Sequence, residues 1–150
     1  MKTCAKRTSI TVAALGLLLF LAGGAIVQSQ EQVLMIANKS LGLSSISQEQ
    51  IQTLFTKKIS EIDGKTITIV LLKKGDLHEI FTSQLVKKST AQYERYWRNA
   101  LFTGSPPVPV MLETEAEMME YVNATPDTIG YAGSLDQAKY PNIQVLTVEK

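Results

Sequence analysis

The chain has one cysteine, Cys4, and one histidine, His78, in 150 residues. A lone thiol excludes an intrachain disulfide framework, and a lone imidazole without thiol neighbours lacks the usual ligand set of a zinc site. Neither a phosphate-cradling glycine loop nor a nucleophile elbow occurs, so nucleotide-hydrolysing and serine-hydrolase chemistry have no motif to rest on. Formal net charge is only +1, and the lysine pairs Lys57-Lys58, Lys73-Lys74 and Lys87-Lys88 are spread along the chain. No clustered basic face of the kind that holds nucleic acid is offered. These absences point away from an enzyme and assign no catalytic residue, metal or cofactor.

What is present begins with a segment unlike the rest. Lys2, Lys6 and Arg7 precede an uncharged, Leu- and Ala-rich run from Thr11 to Val27, followed by the polar Gln28-Ser29-Gln30. A basic head, an apolar body and a small-residue exit form the pattern of an export leader. Cleavage before Gln30 is expected, with Gly24 and Ala25 offering an earlier cut, so residues 1-29 are read as a signal peptide and 30-150 as the mature domain. A retained anchor is the rival reading, because the run approaches the roughly 20 residues that span a bilayer. Cys4 precedes the apolar run, which disfavours a lipid anchor. Removing Lys2, Lys6 and Arg7 from the 15 Lys and Arg leaves 12 against 14 Asp and Glu, a mature formal charge of −2. The expected location is periplasmic or secreted, with membrane contact only through the leader.

The mature chain reads as strands alternating with capped helices. Val33 to Ala37 is a short apolar run closed by Asn38-Lys39-Ser40, a buried strand and turn. Ser47 and Gln50 form a capping box, with Ile46 and Ile51 at the positions of a hydrophobic staple, and predict a helix burying Ile51, Leu54 and Phe55. After Asp63-Gly64, the run from Thr66 to Leu72 is apolar enough to be covered on both faces. Gly75-Asp76 opens another helix, with Asp76 as its expected cap and Leu77, Ile80, Phe81 and Leu85 at helical spacing. Ser89 and Gln92 cap a helix carrying Tyr93, Tyr96, Trp97, Ala100 and Leu101. Pro106, Pro107 and Pro109 impose an extended crossing. Thr114 and Glu117 cap a last helix through Met118, Met119, Tyr121 and Val122, and Ile129 to Ala132 and Ile143 to Val148 read as strands. The expectation is a single layered α/β domain with a mostly parallel sheet flanked by helices.

In this order the pieces VLMIANKS, ISQEQIQTLF, FTSQL, YWRNALFTGSPPVP and EAEMMEYVNATPDTIGYAG resemble the small exported proteins related to the phosphate-binding subunit of ABC transporters. The resemblance covers nearly all of the mature chain. It implies one lobe of a type 2 periplasmic-binding-protein-like fold and a non-enzymatic substrate-binding role, with phosphate or a similar small anion as ligand. Full-length members have two lobes closing on the anion, whereas this chain is one lobe in size. Where they present Ser-Gly-Thr at a helix start, this sequence reads Lys74-Gly75-Asp76-Leu77-His78, and an ionised Asp76 would repel an anion.

Candidate ligand contacts follow from two places. Asn38, Lys39 and Ser40 are expected at the carboxyl end of a parallel strand, the edge where open α/β sheets take ligands. Gly75, Asp76 and His78 surround a helix start, where backbone amides gather partial positive charge. His78 is expected as a half-exposed residue of the first turn. The alternative to ligand binding is a ligand-free interaction or scaffold module, derived from a binding-protein lobe and meeting an envelope partner.

Overall fold

A computed structural model describes residues 32-56, 60-104 and 107-150. The expected leader, Lys57-Lys58 and Pro106 lie outside the described residues. The strands are β1 (Leu34–Asn38), β2 (Ser45–Ser47), β3 (Glu61–Ile62), β4 (Lys65–Thr66), β5 (Thr68–Leu72), β6 (Val110–Leu112), β7 (Thr128–Ala132) and β8 (Ile143–Glu149). The helices are α1 (Gln48–Thr56), α2 (Asp76–Phe81), α3 (Thr90–Phe102) and α4 (Glu115–Ala124).

Six strands form one sheet in the order β2-β8-β1-β7-β5-β6, and β3 and β4 form a separate hairpin. The hairpin closes on Asp63 and Gly64, both at positive φ (51° and 79°), the backbone that a two-residue turn with the native strand twist requires. In the main sheet β5 pairs parallel with β6 and β7, and β2 pairs parallel with β8. Only β1 opposes its neighbours, running antiparallel to both β7 and β8. The sheet is therefore mostly parallel, as expected, but the strand that ends at Asn38 is its exception.

Alternate side chains of β7 serve opposite layers. Gly130 faces α4, where an added Cβ would lie 2.9 Å from Met118 Sδ and force that side chain to shift. Tyr131 faces the other layer and stacks on Phe81 of α2, with ring centroids 3.9 Å apart and planes 5° from parallel. Phe81 in turn meets Phe55 of α1 edge-on at 4.9 Å. Helices thus cover both faces, and this aromatic column fixes α1 and α2 to the sheet.

The three capping boxes form as the sequence predicts. Ser47 and Gln50 exchange bonds of 3.1 and 2.8 Å, and Ser89 with Gln92 and Thr114 with Glu117 do the same for α3 and α4. Several side chains depart from expectation. Asp76 is the first residue of α2, and Gly75 is its cap, with no side-chain bond. Leu101 is 44% exposed and Tyr96 half-buried, so the inward stripe of α3 is Tyr93, Trp97 and Ala100. In α2 the inward residues are His78 and Phe81, and the helix continues directly into a π-helical turn, Thr82–Val86, that buries Thr82 and Val86. Phe81 is buried as the spacing predicts, Leu77, Ile80 and Leu85 pack partly buried against the core, and His78 is the unexpected addition to the inward face.

Candidate functional site

Strands β5, β6 and β7 end at one edge of the sheet. Their exits are Lys73 to Gly75, Glu113-Thr114 and Gly133-Ser134. In open α/β sheets this carboxyl edge is where ligands bind, because helix starts and loop amides converge there. A recess of about 300 Å³ lies at this edge, lined by Asp76, Leu77, Glu115, Gly133 and Ser134. An adjoining recess of about 320 Å³ shares Glu115 and Ser134 and continues to Asp136, Lys139 and Tyr140.

The polar groups of the edge are already engaged. Oε1 of Glu115 accepts the N–H of Gly133 at 2.7 Å and that of Ser134 at 3.4 Å. At the start of α4 the Thr114 hydroxyl accepts from Glu117 N–H, and Glu117 Oε2 accepts from the amides of Glu113 (2.9 Å) and Thr114 (3.2 Å). Lys73 pairs with Glu113 across the β5 and β6 exits. That ammonium holds the Glu113 carboxyl below the usual carboxylate range. Gly75 occupies φ 113°, a conformation reserved in practice for glycine.

His78 is buried, at 2% exposure, in correction of the half-exposed position expected from the sequence. Its Nδ1 lies 2.6 Å from Tyr131 Oη, which accepts the Leu72 amide at 3.0 Å and so has its own proton free for the imidazole. His78 supports the edge from below. Desolvation by burial lowers its pKa from the ordinary value, a shift opposed in part by Glu94. The unfolded chain therefore takes up the proton first. Stability is full above an unfolded pKa of about 6.5 and is lost as pH falls from there through the folded value. Thermal melts across that range should show Tm falling with acid, and His78→Asn should flatten the dependence. An equal acid slope in the variant would assign the loss to other groups.

Asn38, Lys39 and Ser40 lie at the opposite edge. Because β1 runs antiparallel, Asn38 pairs with Ile143 at the start of β8, and Ala37 with Ile129 near the start of β7. The expectation that these residues end a parallel strand is thus corrected, and the two groups of candidates are not brought together. Asn38 is 6% exposed, donating to Val122 O at 2.7 Å and accepting Ser40 N–H at 3.0 Å. The Ser40 hydroxyl accepts Asp127 N–H at 2.8 Å and donates to its carboxylate at 3.3 Å. Lys39 is exposed, and its amide bonds Asn142 O.

Sequence reasoning missed Glu115, Gly133 and Ser134. The available signal was positional: residues just after an apolar strand belong to the carboxyl edge, whatever their type. Among the described residues no group of three or more His, Cys, Asp or Glu is placed to hold a metal, and no helix is long and apolar enough to cross a membrane.

A mostly parallel sheet, helices on both faces and a recess at its carboxyl edge make up an α/β lobe similar in fold to the lobes of periplasmic binding proteins. Solved structures of phosphate-transport binding proteins share this fold. PstS of Borrelia burgdorferi superposes with a TM-score of 0.59 at 16% identity, over 78% of this chain and 47% of its own. A candidate phosphate ABC transporter substrate-binding protein of Clostridium perfringens, solved with bound phosphate, gives 0.58 at 14% identity, over 77% and 44%. An ABC-type phosphate transport receptor of Vibrio cholerae gives 0.51 at 13%, over 79% and 46%. The chain thus spans a little under half the length of these proteins. No family model matches the sequence, and no curated protein matches it.

Proposed function

We propose that this chain is an exported, non-enzymatic binding module that takes a small oxyanion, phosphate or a close analogue, at the carboxyl edge of its sheet. The observation that carries the reading is the pair of backbone amides, Gly133 and Ser134, converging on a single carboxylate oxygen there. An edge that holds its own oxyanion has the donors for a foreign one. The fold shared with proteins of phosphate transport, one of them solved with bound phosphate, supports the choice of ligand. Gly75 lets the ligand approach the α2 backbone, and Lys74 lends charge. Asp76 opposes an anion, and His78 acts by holding Tyr131 rather than by touching the ligand. The recess is lined by only five residues, two of them acidic, so affinity in the millimolar range is expected. Calorimetry and thermal shift with phosphate and with sulfate test this. Ligand at 100 times Kd raises stability by about 2.7 kcal/mol. Absence of both heat and shift at tens of millimolar would remove the reading.

A second reading, an interaction module that meets an envelope partner without a small ligand, is favoured by a specific observation. The carboxylates of Asp76 and Glu115 line the recess, and Glu115 fills the donors. Phe102, the last residue of α3, is 93% exposed, and Val108, before β6, is 51% exposed. Large exposed apolar side chains of this kind mark contact surfaces when they cluster. Light scattering over a concentration series reads self-association, and a clean monomer that binds phosphate would decide for the first reading.

A further inference from the structure

Glu115 is spare to its own helix. The capping box of α4 is completed by Thr114 and Glu117, and Glu115 at the first helical position instead reaches across 18 residues of sequence to the exit of β7. Its Oε1 takes two consecutive amides, at 2.7 and 3.4 Å. Hydrogen bonds to an ionised acceptor are stronger than neutral ones, and successive amides turned to one point form an anion-binding concavity. The recess beside them, about 300 Å³, has roughly ten times the share of liquid volume that one water occupies. There is room for a free anion next to the donors that Glu115 now fills.

We infer that the Gly133-Ser134 amide pair is an oxyanion site closed in cis by Glu115, which a free carboxylate or phosphate enters only by displacing that side chain. The inference rests on the proposed anion-binding role and adds what regulates it. A tethered group competes at an effective concentration in the millimolar range or above. A free anion must exceed that level to win, so the closed site rejects traces and answers only to abundance. Asp76 across the recess acts in the same sense, because its charge opposes an anion entering beside Glu115.

The test follows the Gly133 and Ser134 amide resonances of the ¹⁵N-labelled full chain in the wild type, Glu115→Ala and Glu115→Gln, titrated separately with acetate and with inorganic phosphate. In Glu115→Ala the two resonances should move on substitution and then shift saturably with anion, at an affinity at least about tenfold above the wild type, the loss expected of one charge-assisted bond as competitor. Glu115→Gln, which keeps an acceptor without charge, should fall between, and it carries the test if the alanine variant does not fold. Response to acetate alone assigns the carboxylate class, and response to phosphate alone assigns phosphate. Equal affinities in wild type and variants would overturn the closure and leave the anion-binding reading standing. Resonances unmoved by the substitution would overturn the occupancy itself. Resonances that move on substitution but ignore both anions would sink the inference and the anion-binding reading together.

Discussion

Tyr131→Phe is expected to lower the free energy of unfolding by about 2–6 kcal/mol, although it deletes a single oxygen. That oxygen accepts the Leu72 amide at the last residue of β5 and faces His78 Nδ1 at 2.6 Å. A phenylalanine would keep the stack on Phe81, so the ring packing is not what changes. Two buried groups would lose their partner at once, each costing about 1–3 kcal/mol. Burial already pushes the Tyr131 phenol well above its ordinary range, which marks how little water reaches it. Tyr93→Phe is the internal control. Its hydroxyl is also buried but has no hydrogen-bond partner among the described residues, and neither has Trp97 Nε1. The indole N–H is near enough to oppose the rise in the Tyr93 pKa, yet not in bonding geometry. Removing that hydroxyl should be neutral or slightly stabilising. Urea denaturation of both variants checks the pair, with the m-value unchanged if only stability has moved. Equal losses in the two would mean that the Tyr131 bonds add nothing beyond ring burial.

How far the sequence could foresee this arrangement depends on the range of the forces involved. The capping boxes at Ser47, Ser89 and Thr114 are local, set by residues three apart, and all three form. The apolar runs around Val70 and Gly130 announce strands because burial on both faces leaves no polar side, and the run around Leu146 does so although Val145 beside it is exposed. The direction of β1 is not local. Nothing in Leu34 to Asn38 says that both neighbours run the other way, since the pairing is decided by strands near the end of the chain. That single reversal carried Asn38 and Ser40 away from the edge where Gly75 lies. The burial of His78 has the same origin, because its partner, Tyr131, lies 53 residues further on. Strand β2 was missed for a simpler reason: three residues, Ser45 to Ser47, hold too little pattern to register. The missed Glu115 belongs with these, because a carboxylate in the first turn of a helix is ordinary until its acceptor oxygen is seen to hold a distant loop.

Asn38→Ala is expected to cost about 2–3 kcal/mol of stability and to leave anion binding unchanged. The side chain joins three segments. Its amide donates to Val122 O at the end of α4, with a longer contact of 3.4 Å to Asn123 O, while its own oxygen caps the short helix at Ser40. Alanine would leave the buried Val122 carbonyl with only the longer bond from the Thr128 hydroxyl, 3.4 Å, and would remove the acceptor of the Ser40 amide. Asn38→Asp separates this role from a ligand role. Aspartate keeps the acceptor for Ser40 but has no N–H for Val122, and it brings a charge against a carbonyl at a buried position. It should therefore be at least as destabilising as alanine. Chemical denaturation gives the stabilities, and phosphate calorimetry on the folded fraction gives the binding. Were either variant to keep its stability and lose phosphate binding, the ligand edge would have to be moved to the Asn38 side of the sheet. The Gly133-Ser134 amides would then revert to a strand exit tied down by Glu115.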